Sequence, residues 1–518
     1  MCKWTSPRKW KMMMTSKKIK LLSLALLSIG LSQNVLAEDH WKLFLKNAYI
    51  DRDFDNDAVK DTGSWSQAIS LFYDSKFQDT PIDQLQIGLD ANVQYAMRLS
   101  NDKHAADSVL PFDAQSQKQA SDYAKFGGAV KLKYKENVLK AGEIWSDSPV
   151  ANIDASRQSV GTYLGGTLSS TVNDHLSLEL GVLSKYSARN DDQFRKLSYT
   201  QNGNKIQSDG MSYIDLKYRV NDQLKAAYSF AHLENIFNKH YVGLEHNYAL
   251  NADTQLNSKV RYFNVQDTGS IAAIDSQNIG VIETVKYKNH TVAAGVQKIV
   301  GDAFPALDGY IPELYFVNWN VTGFFKKNEQ TYHFIYGYNF KDYVPGLNAL
   351  VKYSYGEKIK LADGVENNES ELNLIGAYNF QHDYLKGVGL QYLFAKYATK
   401  YGNDFDFIIN SCHIVNGMDP YYGTYFPTRF DHLKLFDKWL KKYDGAKDNA
   451  IEIGVGSGIL TYQLIQNGFE NVYATDTNKN AIIGVYKDGR RLDFQKKITL
   501  NHCDLFGDFD RKVDVIVF

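Results

Sequence analysis

The feature that most constrains the fold is a strict two-residue alternation of apolar and polar side chains. The stretch LQIGLDANVQYAMRL, residues 85–99, has apolar residues at every odd position and mostly polar residues, ending in Arg98, at the even ones. Because successive side chains of a strand point to opposite faces, the pattern predicts a strand with one apolar and one polar face. Globular strands usually have about 3 to 10 residues, so this length suits a tilted membrane strand better.

The same alternation recurs through the first four hundred residues. It is clear in YAKFGGAVKLKYK (123–135) and LSLELGVLSKY (176–186), and in two runs within 212–230 that meet at the turn dipeptide Asn221-Asp222. Further pairs occupy residues 241–262, 279–298, 331–355 and 371–396. We count roughly seventeen or eighteen strands, with short and longer links in alternation, which is typical of an outer-membrane barrel.

The fold class predicted here is an all-β transmembrane barrel of about 18 antiparallel strands. A soluble β-sandwich or repeat protein is the alternative, and strand length and an export signal argue against it. The 35 Tyr and 28 Phe suit aromatic belts at the two membrane interfaces. The 58 basic and 59 acidic residues give no indication of a nucleic-acid partner.

The amino-terminal segment resembles a secretory signal. Residues 17–37, KKIKLLSLALLSIGLSQNVLA, run from lysines through a short leucine-rich core to small residues, so we expect cleavage after Ala37. Translation could start at Met1 or at Met14. No other apolar run approaches the length of a membrane helix, and residues 38–411 lack cysteine, which fits an oxidising compartment.

Alternation also predicts which charges face water. A Lys or Arg that faces lipid at mid-bilayer costs about 2–4 kcal/mol. We therefore expect Lys131, Lys133 and Arg98 to point into a polar lumen, which implies a channel or a plugged pore.

An ordered set of motifs resembles the OprD family of outer-membrane porins over about residues 41–400. The motifs are LFLKNAYIDRDFDN, SWSQAISLFYDSKF, YAKFGGAVKLK, SPVANIDASRQSVGTYLGG and the pair FIYGYNF and VPGLNALVKYSYGE. The resemblance implies an eighteen-stranded monomeric barrel, without cofactor, metal or enzymatic activity. It would pass small solutes such as amino acids or organic carboxylates by passive diffusion. Its partners would be outer-membrane lipids and the barrel assembly machinery.

The resemblance also implies a constriction. In the family the SPV…SR segment is the third loop, which folds into the barrel, so residues 146–163 would line the narrowest part. Asp154 and Arg157 match positions in that motif, and opposite charges there could hold the two ends of a zwitterion. Alternatively, Arg157 only holds the loop in place. A ladder of basic residues is also implied, with Arg98, Lys131, Lys133 and Arg219 as candidates, although each could be an ordinary lumen charge.

The character of the sequence changes after residue 404. RFDHLKLFDKWLKKY predicts an amphipathic helix, and AIEIGVGSG then predicts a strand that turns through three glycines into a helix. This part resembles the first half of a class I S-adenosylmethionine-dependent methyltransferase. By that resemblance the cofactor would contact six residues: Glu452, Gly454, Gly456, Gly458, Asp476 and Asp504. The chain ends before the motif that binds the methyl acceptor, so we expect no activity and no use of the cofactor.

These observations predict three segments: residues 1–37, a signal with an extension; 38–404, the porin; and 405–518, an incomplete α/β methyltransferase-like segment. The porin would then lack its last strand, and the junction could be a rearranged gene or a faulty assembled sequence. Residues 405–409 could imitate part of a closing strand, although a methyltransferase strand is the favoured interpretation. If the chain inserts, the C-terminal segment would be periplasmic; if the barrel cannot close, the chain would be degraded.

Overall fold

The computed structural model describes residues 40–100, 107–268, 272–308, 316–317, 320–382, 385, 387–416, 447–453, 464–465, 468–476, 498–502 and 515–517. The chain divides into two compact units, Glu38–Met418 and a second that includes Asp419–Phe518. The predicted signal, the predicted helix after residue 428, Gly454, Gly456, Gly458 and Asp504 lie outside the described residues.

Eighteen long antiparallel strands form the wall of the first unit, as predicted. They are β1 (His40–Phe54), β2 (Thr62–Asp74), β3 (Leu85–Arg98), β4 (Asp122–Tyr134), β5 (Asn137–Ile144), β6 (Thr162–Thr171), β7 (Leu176–Ser187), β8 (Met211–Arg219), β9 (Leu224–Leu233), β10 (Phe237–Ala249), β11 (Thr254–Asp267), β12 (Asp275–Tyr287), β13 (His290–Gly301), β14 (Gln330–Asn339), β15 (Leu347–Lys360), β16 (Glu366–Asn379), β17 (Val388–Thr399) and β18 (Phe405–Asn416). Each strand pairs with the next one along the chain.

The sheet closes on itself through β1 and β18. These strands are antiparallel over twelve residue pairs, from Leu43 opposite Asn416 to Phe54 opposite Phe405. The barrel extends beyond the boundary expected at residue 404. Phe405–Asn416 is its last strand and is not part of the C-terminal segment. Phe405, Phe407 and Ser411 are buried on the inner face, which is the alternation that a closing strand needs.

The two faces of the wall have the predicted chemistry. On β3, Leu89 and Val93 are 47% and 41% exposed on the outside, whereas Asn92 and Gln94 are buried on the inside. Exposed aromatic side chains stand on the outer face beside the short turns: Trp41, Tyr134, Tyr218, Tyr248 and Tyr287. Such a row is typical of a membrane-interface belt, where the ring contacts lipid and the hydroxyl or indole N–H contacts water.

The links at the two ends of the barrel differ in length. At one end the turns are short, for example residues 135–136, 172–175 and 288–289. The other end carries loop 2 (99–121), loop 3 (145–161), loop 4 (188–210) and loop 7 (302–329), numbered among the nine links at that end. Outer-membrane barrels have short periplasmic turns and long extracellular loops, so the loop end is the extracellular one.

The second unit contains a small parallel sheet. Its strands are β19 (Asn449–Ile453), β20 (Asn471–Asp476), β21 (Ile498–His502) and β22 (Val515–Val517), in the order β21-β20-β19-β22. This is the 3-2-1-4 order found in doubly wound sheets. Val515–Val517 pairs with β19, and Ala450, Val472 and Phe469 are buried in this unit. Among the described residues, no helix has the length and apolar character needed to cross a membrane.

The seam between β1 and β18 makes closure testable by truncation. A chain of residues 38–404 leaves the facing edges of β1 and β17 without partners, and each unpaired backbone group in hydrocarbon costs several kcal/mol. We expect residues 38–418 to give a compact, heat-modifiable band on gels after refolding in detergent, and 38–404 to give none. A compact band from the shorter chain would show that β18 is not needed for closure.

Candidate functional site

Loop 3 crosses the interior of the barrel and is tied to the wall at several places. The main contacts are Ser148 Oγ to Asp215 Oδ1 (2.9 Å), Gln158 Nε2 to Ser66 Oγ (2.7 Å), Val160 N to Gln94 Oε1 (2.9 Å) and Lys125 Nζ to the Val160 carbonyl (2.8 Å). The wall residues belong to β8, β2, β3 and β4, so the loop spans the lumen between distant strands. Loop 3 therefore folds into the lumen, as the motif resemblance implied.

Asp154 holds the shape of loop 3. One carboxylate oxygen accepts a hydrogen bond from Arg189 Nη1 at 2.7 Å, and the other accepts from the backbone N and the hydroxyl of Ser156. Asp154 and Arg189 are both buried. The carboxylate is therefore occupied by its own loop and by loop 4.

Arg157 has a different environment. Its Nη1 donates to the Ser156 carbonyl at 3.1 Å, and its own carbonyl accepts from Lys46 Nζ at 2.9 Å. The buried Nε has no hydrogen-bond partner among the described residues. Burial and the positive charge of Arg189 lower the pKa of Arg157 to about 10, so the guanidinium keeps its charge at neutral pH.

Arg52 and Arg157 lie near the same aromatic ring. Arg52 Cζ is 4.6 Å from the ring centroid of Phe405 and 5.1 Å from that of Phe407, and Arg157 Cζ is 6.0 Å from the Phe407 centroid. Stacking on an aromatic face positions a guanidinium while leaving its N–H groups free to donate. Arg52 Nε also lacks a partner within the described part of the chain. We call Lys46, Arg52 and Arg157 the basic cluster.

Loops 2 and 7 pack beside the basic cluster. Val109 and Leu110 of loop 2 are buried in an apolar group with Ile375, Tyr397, Phe405 and Phe407, and Val321 of loop 7 packs against that group. Loop 7 is also tied to Glu371 on β16, which accepts from the backbone N of Val321 and of Thr322 at 2.8 Å each. Three inward loops thus surround one narrow region of the lumen.

A buried pair of carboxyl groups fixes the end of loop 7. Glu329 Oε2 accepts from the Lys326 backbone N at 2.9 Å, and Glu369 accepts from Lys326 Nζ and the Tyr397 hydroxyl. Burial and the neighbouring Glu369 carboxylate raise the pKa of Glu329 well above its ordinary value. Glu329 is therefore protonated at neutral pH and can donate a hydrogen bond to Glu369.

The predicted basic ladder is spread over different heights of the barrel. Lys131 and Lys133 face the lumen near the turn end, where Lys131 forms ion pairs with Asp74 and with Asp90, the latter at 2.6 Å. Arg98 lies under loop 2 and donates to the Gln119 carbonyl at 3.4 Å. Arg219 lies at a periplasmic turn and donates to the Asp174 carbonyl. Of the predicted basic residues, only Arg157 lies in the basic cluster.

Sequence reasoning missed Lys46, Arg52, Arg189, Glu371 and Phe407. Part of the signal was present, because LFLKNAYIDRDF puts Lys46 and Arg52 on the same face as Phe44, Ala48 and Ile50. The alternation shows that these residues point to the same side of the sheet. It does not show which residues of other strands lie beside them. Proximity to Phe407 depends on the β1–β18 seam.

A closed barrel with a lipid-facing apolar exterior, an aromatic belt and a charged lumen narrowed by inward loops defines a transmembrane diffusion pore. The family model described as outer membrane porin, OprD family, matches residues 33–409. The chain belongs to this family, whose barrels lie in the outer membrane of Gram-negative bacteria.

Two proteins agree with this assignment, and a methyltransferase matches a smaller part of the chain. The crystal structure of Acinetobacter baumannii OccAB4 superposes with a TM-score of 0.72 at 52% identity, over 74% of this chain and all of that one. The porin-like protein GalP of Pseudomonas putida is 25% identical over 397 residues, which cover 73% of this chain and 92% of GalP. A ribosomal protein L11 methyltransferase of Lachnospira eligens is 33% identical over 86 residues, 16% of this chain and 26% of that enzyme.

The buried carboxyl pair gives a pH prediction. Glu329 is protonated in the native state. At a pH above 4.5, its ordinary pKa, it loses this proton when the chain unfolds. The free energy of unfolding therefore falls as pH rises through neutrality, by up to roughly 1.4 kcal/mol per pH unit. Glu329→Gln should flatten this slope, as measured by thermal unfolding in detergent at pH 5 and 7.5. The exposed Glu366→Gln is the control, and equal slopes in all three proteins would contradict the prediction.

Proposed function

We propose that the protein is a substrate-selective porin for small organic carboxylates, including amino acids. The observation that carries this proposal is the basic cluster, in which the positively charged Arg52 and Arg157 lie 5.1 and 6.0 Å from the Phe407 ring centroid and the Nε of each has no hydrogen-bond partner among the described residues. Guanidinium groups match a carboxylate with paired N–H donors. In a narrow pore such charges raise the local concentration of anions and select them.

The other predicted pore residues have secondary roles in this proposal. Asp154 positions loop 3, because both of its oxygens are occupied. Lys131 and Lys133 line the lumen near the turn end and would guide an anion after it leaves the basic cluster, whereas Arg98, under loop 2, and Arg219, at a periplasmic turn, lie outside the cluster. Solutes with one carboxylate are favoured over dications, since Lys46, Arg52 and Arg157 put three positive charges in the narrow region.

Insertion as a monomer by the barrel assembly machinery completes the proposal. All eighteen strands of the wall come from one chain, so no second copy is needed to pair an edge. Since β18 ends at the turn end of the barrel, the residues that follow would be delivered to the periplasm.

Removal of the basic cluster tests the proposal. The double variant Arg52→Ala, Arg157→Ala should lower the anion-to-cation permeability ratio roughly tenfold, because the charges that concentrate anions are lost. Reversal potentials in planar bilayers under a salt gradient measure this ratio, and block of the current by added carboxylates measures binding. Arg219→Gln, at the periplasmic turn, should keep both properties. Unchanged selectivity in the double variant would reject the proposed role of the cluster.

A second candidate function concerns the C-terminal unit. We infer that it is a fragment of an S-adenosylmethionine-binding domain, supported by the 3-2-1-4 order of its parallel strands and by the short methyltransferase match. Glu452 is on β19 and Asp476 ends β20, so both lie toward the carboxyl edge where such sheets bind ligands. Bound S-adenosylmethionine would supply a methyl group. By sequence, Glu452 and Asp476 match the residues that would contact its amino acid and ribose parts, and Gly454, Gly456, Gly458 and Asp504 match the rest of the set.

Calorimetric titration of the full chain with S-adenosylmethionine tests this second candidate. A retained ribose site predicts measurable heat that Asp476→Asn reduces, because the amide replaces the carboxylate that accepts from the ribose hydroxyls. Glu470→Gln, at an exposed position outside the sheet, is the matched control. Absence of heat with the unmodified chain would leave the segment as a domain without cofactor binding.

A further inference from the structure

We propose that Glu371 is a positioning residue that determines the selectivity of the pore, by holding the 320–322 segment of loop 7 beside the basic cluster. Glu371 lies on the inner face of β16 and is completely buried. The selectivity part of this inference rests on the proposed function of the basic cluster, whereas the positioning part rests on the hydrogen bonds of Glu371 alone.

Four donors converge on the Glu371 carboxylate. Oε1 accepts from the Val321 backbone N at 2.8 Å and from Asn373 Nδ2 at 2.7 Å. Oε2 accepts from the Thr322 backbone N at 2.8 Å and from the Thr322 hydroxyl at 2.7 Å. Two consecutive backbone N–H groups that point at one carboxylate form an anion-binding concavity, and bonds to a charged acceptor are stronger than neutral ones.

Only a carboxylate satisfies this arrangement. A glutamine at the same position has one acceptor oxygen and one NH₂ group. Whichever end the NH₂ occupies, one of the two backbone N–H groups, that of Val321 or that of Thr322, loses its acceptor, because an NH₂ group donates and does not accept. The substitution Glu371→Gln therefore keeps the size of the side chain but removes the charge and at least one of the two hydrogen bonds to the loop backbone.

The clamped segment sets the geometry around the basic cluster. Val321 packs against the apolar group that contains Phe405 and Phe407, the rings on which Arg52 stacks. Asn320 Oδ1 lies 3.4 Å from the Ser354 hydroxyl on the neighbouring strand β15. Glu371 also interacts electrostatically with Arg52. Its carboxylate thus fixes the position of the loop and offsets part of the positive charge at the constriction.

Glu179 provides a matched control. It is also a carboxylate on the inner face of the wall, on β7, and it accepts from the Tyr213 hydroxyl at 2.7 Å and the Ser169 hydroxyl at 2.8 Å. Both partners are strand residues, so Glu179→Gln removes a luminal charge without releasing a loop. Thr322→Val is the complementary variant, because it removes one donor from the clamp and keeps the charge.

Hydrogen exchange, single-channel conductance and the reversal potential separate the positioning role of Glu371 from its role in selectivity. Hydrogen exchange of the peptide that contains Val321 and Thr322 should become roughly tenfold faster in Glu371→Gln, to a smaller extent in Thr322→Val, and not in Glu179→Gln. Single-channel recordings should show a larger, noisier conductance in the same order. The reversal potential should shift toward anions in Glu371→Gln and stay at the wild-type value in Thr322→Val. Heat-modifiable gel mobility checks that each barrel is closed.

The outcomes are distinguishable. If exchange and conductance in Glu371→Gln match the wild type, or if Glu179→Gln changes them equally, Glu371 is not a clamp and the inference is overturned. If exchange accelerates while conductance and reversal potential stay unchanged, the residue is structural only and the selectivity role is overturned. A wild-type channel without anion preference would reject the proposed function, yet the exchange experiment would still test the clamp.

Discussion

The requirement that every backbone N–H and C=O in hydrocarbon has a partner determines the rest of this structure. It can be met by a sheet only if the sheet has no edge, so the pairing of β1 with β18 is the contact on which the barrel depends. Once the wall is closed, its outer face must be apolar and its inner face can carry charges that would be too costly in lipid. The ion pairs of Lys131 and the stacked Arg52 are possible only inside such a cylinder.

A closed barrel of eighteen strands has a wide lumen, and the inward loops turn it into a narrow pore. Loop 3 is held by side chains from four strands and by the Asp154–Arg189 pair, and loop 7 is held by Glu371 and by the Glu329–Glu369 pair. The carboxylates of Asp154 and Glu371 accept hydrogen bonds on both oxygens, whereas the Nε of Arg52 and of Arg157 has no hydrogen-bond partner among the described residues. In the proposed function, this difference separates the residues that position the loops from those that would bind a solute.

The seam strand shows where sequence reasoning was wrong. Phe405–Asn416 stands next to residues that resemble a methyltransferase, and that neighbourhood favoured assigning it to the C-terminal segment. The pattern of residues 405–409 is compatible with a barrel strand and with a strand of an α/β sheet. The local pattern therefore could not assign this segment to either sheet. The register with Leu43–Phe54 decides it, because each edge residue of β1 then finds a partner. The same strand supplies Phe405 and Phe407 to the constriction.

The inward loop around Asp154 and Arg157 was implied by the resemblance to a known family. The sequence by itself determined the class of fold, the approximate number of strands and the face that each side chain takes. These follow from a period of two and from local motifs, which are properties of neighbouring residues. Only the tertiary structure decided which strand closes the barrel, and that Arg52, Arg157 and Phe407 meet while Arg98 lies under loop 2 and Arg219 at a periplasmic turn. Those contacts join residues that are far apart in the chain, and their distances depend on strand register and loop docking, which no local pattern specifies.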